Sequence, residues 1–264
     1  MSFAPALPLT GYAGWALLKR TMPAQSAAWA AQPVVRSDEA YFREKIGAVS
    51  TAEQLVADRR LLKVALGAFG LGDEINNRYF IRKVLEDGTL KTGALANKLA
   101  DKTWAKFSAA FGFGDFSTPR TKLSDFPDKI LAAHRTRGFE EAVGEQREEM
   151  RLALNAEREL AELARKPSSA TTKWYTILGD APMRKVFETA LGLPSGFGRL
   201  DIDQQLGVIR SKSQDQLGVA DPSGFQDPAA MDKLVRRFLI RAEVAEGARL
   251  TGPAQTALTL LRGY

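Results

Sequence analysis

Cysteine is absent from the 264-residue chain, and histidine occurs once, at His134. Without thiols there are no disulfides, no thiol chemistry and no cysteine-based metal site. One imidazole also excludes the histidine-rich zinc motifs, which need at least two. A catalytic triad would have to use His134, which the polar, basic run HRTR places in an exposed loop or at a helix start. The sequence therefore predicts no metal site and no triad.

Other common signatures are missing as well. A membrane-spanning helix needs about 20 apolar residues in a row, and no apolar run in the sequence approaches that length. The first positive charges follow the N-terminal apolar stretch, which is the wrong order for a cleaved secretory signal. No phosphate-binding GxxxxGK[ST] loop and no EF-hand spacing occurs. We therefore expect a protein that is not an enzyme, with no catalytic, metal-binding or cofactor-binding residue, no cofactor and no small-molecule substrate.

Charge gives a weak indication of partners. The chain has 37 Lys and Arg against 31 Asp and Glu, a net charge of +6. Nucleic-acid-binding proteins concentrate basic residues on one face, whereas here they are spread along the chain among acidic residues. Nucleic acid is therefore not favoured as a partner, although a basic regulator remains the alternative to a structural protein.

The most informative feature is a stretch that occurs twice. Residues 58–71 read DRRLLKVALGAFGL and residues 180–193 read DAPMRKVFETALGL, at a gapless offset of 122 residues. Each copy begins with an aspartate that can cap a helix and ends with glycine and leucine, a typical helix stop. Apolar residues at helical spacing lie between them. We expect both copies to adopt the same conformation of a helix followed by a glycine turn.

A second correspondence, at an offset of 127 residues, aligns Trp104 with a methionine of the last long helix. Helical spacing predicts four of the aligned apolar positions as core residues: Phe107, Phe111, Leu234 and Phe238. These matches predict an all-α fold. We expect a diverged tandem duplication of a multi-helix unit, joined by a long charged helix, with flexible termini.

Two further helices are assigned from their spacing. Residues 76–85 place Tyr79 and Phe80 on the inner side, together with two aliphatic residues, and residues 138–164 form the long charged helix with a narrow apolar stripe. The resulting divisions are a flexible N-terminal segment (1–36), repeat 1 (37–118), a connection and long helix (119–166), repeat 2 (167–246) and a C-terminal tail (247–264).

The two ends carry apolar residues in segments too short to build a core. Such residues reduce solubility unless they are covered, either by the body of the protein or by a partner. If a partner covers them, the contact residues are Trp15, Leu17, Leu18, Trp29, Leu258, Leu260 and Leu261. The sequence leaves both alternatives open.

Several motifs in fixed order resemble a known family. The runs DRRLLKVALGAFGL, NNRYFIRKVLEDG, ALANKLAD and FSAAFGFGD, with GYAGWALLKRT and SDEAYFREKIGAVST before them, are similar to a bacterial family of unknown biochemical function, domain of unknown function 1217. The likeness extends over nearly the whole chain. It implies a place among proteins encoded in flagellar gene clusters, and it brings no catalytic residues.

Two functional hypotheses follow from different classes. The first is a non-enzymatic structural or assembly protein of the flagellum that binds flagellar proteins or itself through helical packing and terminal segments. It would act in the cytoplasm or be exported to the flagellum, and both remain open. The alternative is a basic nucleic-acid-binding regulator of flagellar genes, which would present one continuous positive face.

Overall fold

A computed structural model describes the backbone of residues 3–250 and the side chains of residues 3–247. This part of the chain contains thirteen α-helices and no β-strand, which confirms the all-α prediction. None of its helices is both long and apolar enough to cross a membrane. Contacts divide the chain into two compact units. Unit 1 combines the N-terminal residues up to Pro5 with Thr21–Ala142, and unit 2 combines Ala6–Arg20 with the residues from Val143 onward.

Helices α1 (Gly11–Ala30) and α8 (Phe126–Gln146) contribute residues to both units. The helices that belong to unit 1 alone are α2 (Pro33–Lys45), α3 (Ala52–Ala57), α4 (Arg59–Gly67), α5 (Arg78–Asp87), α6 (Leu95–Lys98) and α7 (Thr103–Phe111). Those of unit 2 are α9 (Glu148–Arg165), α10 (Ala170–Gly179), α11 (Ala181–Leu191), α12 (Ile202–Leu217) and α13 (Pro228–Leu250).

The core of unit 1 is centred on aromatic rings of α7. Phe107 lies 5.4 Å from Phe69 and 5.1 Å from Phe111 between ring centroids, and Phe111 lies 5.2 Å from Phe126 of α8. Tilted and edge-on pairs at these distances are favourable beyond the area that they bury. Both α7 rings are fully buried, which confirms the two core predictions in this unit.

Unit 2 has its own aromatic core. Phe187 of α11 lies edge-on to Trp174 of α10 at 5.5 Å and to Phe225 at 5.6 Å. The buried indole is not left unsatisfied, because its Nε1 donates to the carbonyl oxygen of Ala220 at 2.8 Å. Leu234 and Phe238 of α13 are buried, as their alignment with the α7 phenylalanines predicts.

The duplicated stretches begin alike. Asp58 accepts hydrogen bonds from the backbone N–H groups of Arg60 and the next residue, at 2.9 and 3.0 Å. Asp180 accepts one from Met183 at 2.9 Å. Pro182 occupies the position that matches Arg60, and proline has no N–H to donate. The two helices α4 and α11 are thus capped in the same way, apart from the bond that proline removes.

They also end alike. Gly70 and Gly192 adopt the left-handed conformation, with φ of +71° and +61°. The N–H of the leucine that follows each glycine donates to a carbonyl five residues back, at 3.0 Å for Leu71 and 2.9 Å for Leu193. This bond and the left-handed glycine define a Schellman stop. The predicted helix-and-glycine conformation is therefore confirmed for both copies.

The region between the repeats differs from the sequence expectation. In place of one charged helix over residues 138–164 there are α8 and α9, separated at Arg147, whose φ of −142° and ψ of 86° are not helical. Glu148 and Glu149 then lie in the first turn of α9, where acidic side chains are favourable. A continuous helix would instead place them three and four residues from Glu145, where like charges repel.

The predicted connection of residues 119–166 is also not a separate linker. Phe126 and Ile130 of α8 belong to the core of unit 1. Met150 and Leu160 of α9 are fully buried, and α9 contacts α11 and α13 in unit 2. Apart from the buried Glu159, its charged residues lie on the remaining face, so α9 is an amphipathic core helix of unit 2.

Candidate functional site

The candidate site is a groove in unit 1 between α3 and α5, named here the α3–α5 groove. Its volume is about 290 Å³, enough for side chains of a partner. Six residues line it: Glu53, Val56 and Ala57 from α3, and Arg78, Tyr79 and Arg82 from α5. Val56 is buried and gives the groove an apolar floor, while the α5 residues provide an aromatic ring and two guanidinium groups.

The exposed position of Tyr79 follows from the buried face of α5. This helix buries Ile81, Val84 and Leu85, which share one face at i, i+3 and i+4. Tyr79 precedes Ile81 by two residues and therefore points to the opposite side, where 70% of it is exposed. The sequence-based assignment of Tyr79 to the inner side is wrong, because the stripe runs through Ile81.

The two arginines of the groove differ in their ion pairs: Arg82 has acidic partners and Arg78 has none among the described residues. The Arg82 guanidinium lies 6.0 Å from the Tyr79 ring centre, 3.8 Å from Glu53 Oε1 and 3.3 Å from Glu86 Oε1. The Arg78 guanidinium has no hydrogen bond or ion pair with any residue in the described part of the chain. The Tyr79 hydroxyl likewise has no hydrogen-bond partner among residues 3–247. A cation and a phenol donor are thus free at the mouth of the groove.

The corresponding helices of unit 2, α10 and α12, carry a closed version of this arrangement. Tyr175 Oη donates to Asp203 Oδ1 at 2.5 Å. Tyr175 lies 122 residues after Glu53, and Asp203 is the second residue of α12 as Tyr79 is of α5. The hydrogen bond to Asp203 raises the pKa of the Tyr175 phenol. The tyrosine lies on α5 in unit 1 and on α10 in unit 2, and the acid lies on the other helix of each pair. Among the described residues, only those of unit 2 are joined by a hydrogen bond.

The N-terminal candidate residues have a different position from the one expected. Residues 11–30 form α1 and residues 33–45 form α2, so the prediction of a flexible segment is wrong for residues 11–36. Trp15 is only 3% exposed, Leu18 is fully buried and Leu17 is half-buried. Leu258, Leu260 and Leu261 lie outside the described residues, and their role as partner contacts stays a prediction.

Polar contacts within unit 2 explain the order of this segment. Lys19 Nζ lies 2.6 Å from Glu157 Oε2, and Tyr12 Oη donates to Asp232 Oδ1 at 2.8 Å. The Thr10 hydroxyl donates to a glutamate of α13 at 2.7 Å. Together with burial of the Trp15 face, these contacts offset the entropy lost on ordering the chain.

Trp29, the remaining N-terminal candidate, packs within unit 1. It is half-buried, and its ring centroid lies 5.6 Å from that of His134 in α8. A Cβ atom on Gly138 would lie 2.2 Å from Trp29 Cζ2, so glycine is needed for this close approach. His134 is inside α8 with a side chain only 12% exposed, so the sequence-based expectation of an exposed loop or a helix start is wrong.

The surroundings of His134 are structural in character. Glu39 of α2 is bound by Arg135, whose Nε lies 2.8 Å from Oε1 and whose Nη2 bonds Oε2. His134 Nδ1 lies 3.8 Å from Glu39 Oε1 and has no hydrogen-bond partner in the described part of the chain. Burial lowers the pKa of His134 against the opposing charge of Glu39. The Glu39 carboxylate is thus paired with Arg135 beside the buried imidazole, and this pairing fixes α2 on α8.

A larger opening, about 470 Å³, lies in unit 2 beside the loop before α13. Its two carboxylates already have backbone partners. Asp221 accepts from the N–H of Ser223 at 2.8 Å, and Asp227 accepts from that of Ala229 at 3.0 Å. They act as helix caps. In the described part of the chain, no three His, Asp or Glu side chains come together as metal ligands.

Comparison with known proteins identifies the family. The family model described as protein of unknown function DUF1217 matches residues 68–231. The chain belongs to the DUF1217 family. This confirms the resemblance seen in the sequence, and the matched range includes α5 with Arg78, Tyr79 and Arg82.

One solved structure extends the comparison beyond the matched range. The DUF1217 protein resembles an X-ray structure of an Agrobacterium tumefaciens protein, a structural-genomics target, with 26% identity and a TM-score of 0.73. The similarity covers 91% of this chain and 98% of the other. Among curated proteins, none matches the DUF1217 protein.

Proposed function

We propose that this DUF1217 protein is not an enzyme and acts by binding another protein through side chains that its helices hold at the surface. The supporting observation is the α3–α5 groove, where exposed Tyr79 and Arg78, whose guanidinium is unpaired among the described residues, stand beside an apolar floor. Tyrosine and arginine dominate the energetics of many protein interfaces. Because both residues belong to a helix, their backbone loses little freedom when a partner binds.

We further propose that the partner is a flagellar protein or a second copy of this chain. The basis is the resemblance noted in the sequence, which implies flagellar gene clusters. The protein would act in the cytoplasm during assembly or in the assembled organelle. Trp15 and Leu18 are buried within unit 2, so we move the proposed contact from the N-terminal segment to the surface of unit 1.

The nucleic-acid alternative is less well supported by the charge distribution. Many basic side chains of unit 1 are paired with acids, and the pairing mixes the two signs along its surface. The ion pairs are Arg43–Asp128, Arg60–Asp38, Lys63–Asp38, Lys129–Asp125 and Arg135–Glu39. A binder of the phosphate backbone is expected to leave a continuous set of such groups free.

Fractionation of flagellated cells tests the proposal. Cells that carry a tagged copy of the protein are separated into cytoplasm and purified hook–basal bodies, and each fraction is crosslinked and probed. We expect crosslinks to a flagellar protein, or to a second copy of the chain, in one of the two fractions. We also expect a deletion strain to show a flagellar or swimming defect.

Two results would contradict this proposal. A deletion strain with normal flagella and normal swimming would remove the flagellar role. Recovery of crosslinks to promoter DNA alone, with a mobility shift of that DNA by the purified protein, would favour the regulator. Neither the phenotype of the deletion strain nor the crosslinking depends on catalytic turnover, so neither needs a catalytically inactive variant as a control.

A further inference from the structure

We infer that the α3–α5 groove recognises an acidic peptide segment of a partner protein, with a carboxylate bound between Tyr79 and Arg78. The inference rests on the proposed function and adds the chemistry of the partner. It depends on a comparison of the first turns of α5 and α12, which hold equivalent positions in the two units.

In unit 2 two carboxylates of the same chain, those of Asp201 and Asp203, lie at the start of α12. Asp201 caps the helix by accepting from the N–H of Asp203 at 2.9 Å. Asp203 in turn accepts the hydroxyl hydrogen of Tyr175. Both acids are favourable at a helix N-terminus, where the backbone N–H groups and the helix dipole attract negative charge.

In unit 1 the first turn of α5 has neither acid. Asn77 makes no capping hydrogen bond with its side chain, and no acidic residue lies in the first turn. The Asn77 amide is instead directed to Glu74, to which its Nδ2 donates. Arg78 and Tyr79 come next. Among the described residues, neither the Arg78 guanidinium nor the Tyr79 hydroxyl has a hydrogen-bond or ion-pair partner. The first turn of α5 therefore presents a guanidinium and a phenol as donors, while the acid just before it, Glu74, is bonded to Asn77.

Glu53, the acid that lines the groove, does not pair with Arg78 or Tyr79. Glu53 is on α3, 3.8 Å from the Arg82 guanidinium, and Arg82 also contacts Glu86. Glu86 also lies 3.9 Å from Lys83, so the two acids, Glu53 and Glu86, are balanced by the two bases, Arg82 and Lys83. Arg78 is the cation of the groove lining that has no acidic partner in the described residues, so charge complementarity calls for one carboxylate from outside.

The groove also sets the form of the partner. A carboxylate at the start of α5 can accept from the Tyr79 hydroxyl and pair with Arg78, as Asp203 accepts from Tyr175 in unit 2. An adjacent aliphatic side chain then fits the volume of about 290 Å³ over Val56 and Ala57. Phosphate shares the charge but lacks the apolar neighbour, which favours a peptide over nucleic acid.

A binding experiment with defined probes tests this inference. The probe is a fluorescein-labelled, 14-residue helical peptide composed of leucine and glutamate, and the matched control peptide has glutamine in place of every glutamate. Fluorescence anisotropy with the full-length protein is expected to detect the acidic peptide and to show at least about fivefold weaker binding of the neutral one. A twelve-nucleotide oligothymidylate is titrated in parallel.

Variants then locate the site. Tyr79→Ser is expected to weaken binding of the acidic peptide about tenfold and Arg78→Gln about fivefold. The double variant Glu53→Tyr with Tyr79→Asp transfers the pair of unit 2 into unit 1 and is expected to close the groove and abolish binding. Tyr175→Phe is the matched control in unit 2 and should bind like the unaltered protein. Circular dichroism and urea unfolding check that each variant is folded.

The outcomes separate this inference from the proposed function. Equal binding of both peptides, no binding of the acidic peptide up to about 1 mM, or unchanged binding by Tyr79→Ser would each overturn the inference. Oligothymidylate binding that Tyr79→Ser abolishes would overturn it in favour of nucleic acid. In the first three cases crosslinking to a flagellar protein can still succeed, so the proposed function fails only if its own test fails.

Discussion

The two units carry the same local framework but different surfaces on the equivalent helix pairs α3–α5 and α10–α12. Both have an aspartate cap and a left-handed glycine around the duplicated helix, and both bury the aligned phenylalanine. Tyr175 is hydrogen-bonded to Asp203 in unit 2, whereas Tyr79 is exposed in unit 1. Positions that define backbone and core have been retained, while surface positions have diverged into one closed and one open groove.

This difference indicates where to look for function. Caps, glycine stops and buried rings are constrained by the fold itself, so their retention says little about a partner. An exposed aromatic residue beside a cation that has no acidic partner among the described residues has no equivalent role in folding. The open groove of unit 1 is therefore informative because unit 2 shows that the same helices can satisfy their own donors.

The largest expected effect concerns the shared core. Phe111→Ala and Phe238→Ala should each lower the free energy of unfolding by about 3–5 kcal/mol, through lost burial and the cavity that remains. Urea unfolding measures both, with Tyr79→Ser as a surface control that should change the midpoint little. If one of the two alanine variants kept its midpoint, the cores would not be equivalent.

A smaller effect compares two glycines inside helices. Gly138→Ala should destabilise the protein by about 1–3 kcal/mol, because the new Cβ would lie 2.2 Å from Trp29. Gly207→Ala, in α12, meets nothing within 4 Å and should stabilise by up to about 1 kcal/mol, since alanine favours the helix. Thermal or urea unfolding reports both signs. Stabilisation by Gly138→Ala would contradict the close packing of Trp29.

Local features of the fold could be predicted from the sequence. Asp58, Asp180, Gly70 and Gly192 act within one helical turn of themselves, so their types and spacing suffice. The burial of the two aligned pairs, Phe107 with Leu234 and Phe111 with Phe238, follows from helical periodicity. These features depend on residues close in sequence, and the structure confirms them.

Features that depend on distant residues could not be predicted in the same way. His134 packs against Trp29, which is far away in the chain, and Lys19, which lies over the Trp15 ring, pairs with the distant Glu157. The break at Arg147 has no proline or glycine at that position to mark it. The open groove could not be predicted because Tyr79 is an aromatic residue, which suggests burial, although its position around the helix axis is opposite the buried face of α5. The alignment of Glu53 with Tyr175 at the offset of 122 residues is the signal in the sequence that the tyrosine and the acid lie on different helices in the two units.

The next prediction concerns the two caps. Asp58→Ala and Asp180→Ala should each cost about 1 kcal/mol of unfolding free energy, because the first turn loses its acceptor. Burial alone would raise the pKa of Asp58, but hydrogen bonds from Tyr41 and from the backbone N–H groups of Leu61 and Arg60 bring it below the ordinary value.

That lowered pKa gives the Asp58 contribution a defined pH dependence. A group whose pKa is lower in the folded state stabilises the fold above its unfolded pKa, and the stabilisation is lost as pH falls through the folded pKa. The difference between the unaltered protein and Asp58→Ala should therefore shrink in acid. Asp58→Asn, which keeps an acceptor, serves as the control at neutral pH. A difference that grew on acidification would contradict the assignment.

The smallest effect compares the two tyrosines that distinguish the closed groove from the open one. Tyr175→Phe removes the hydroxyl that donates to Asp203 and should reduce stability slightly at neutral pH, whereas Tyr79→Phe removes a hydroxyl without a partner in the described residues. The hydrogen bond to Asp203 raises the pKa of Tyr175. Its contribution is therefore fully present below the unfolded pKa and is lost as pH rises through the folded pKa. Urea midpoints should differ for Tyr175→Phe at neutral pH and converge with those of the unaltered protein in alkali. Equal loss in both variants at neutral pH would mean that Tyr79 also has a partner within the chain, and the groove of unit 1 would then be closed as well.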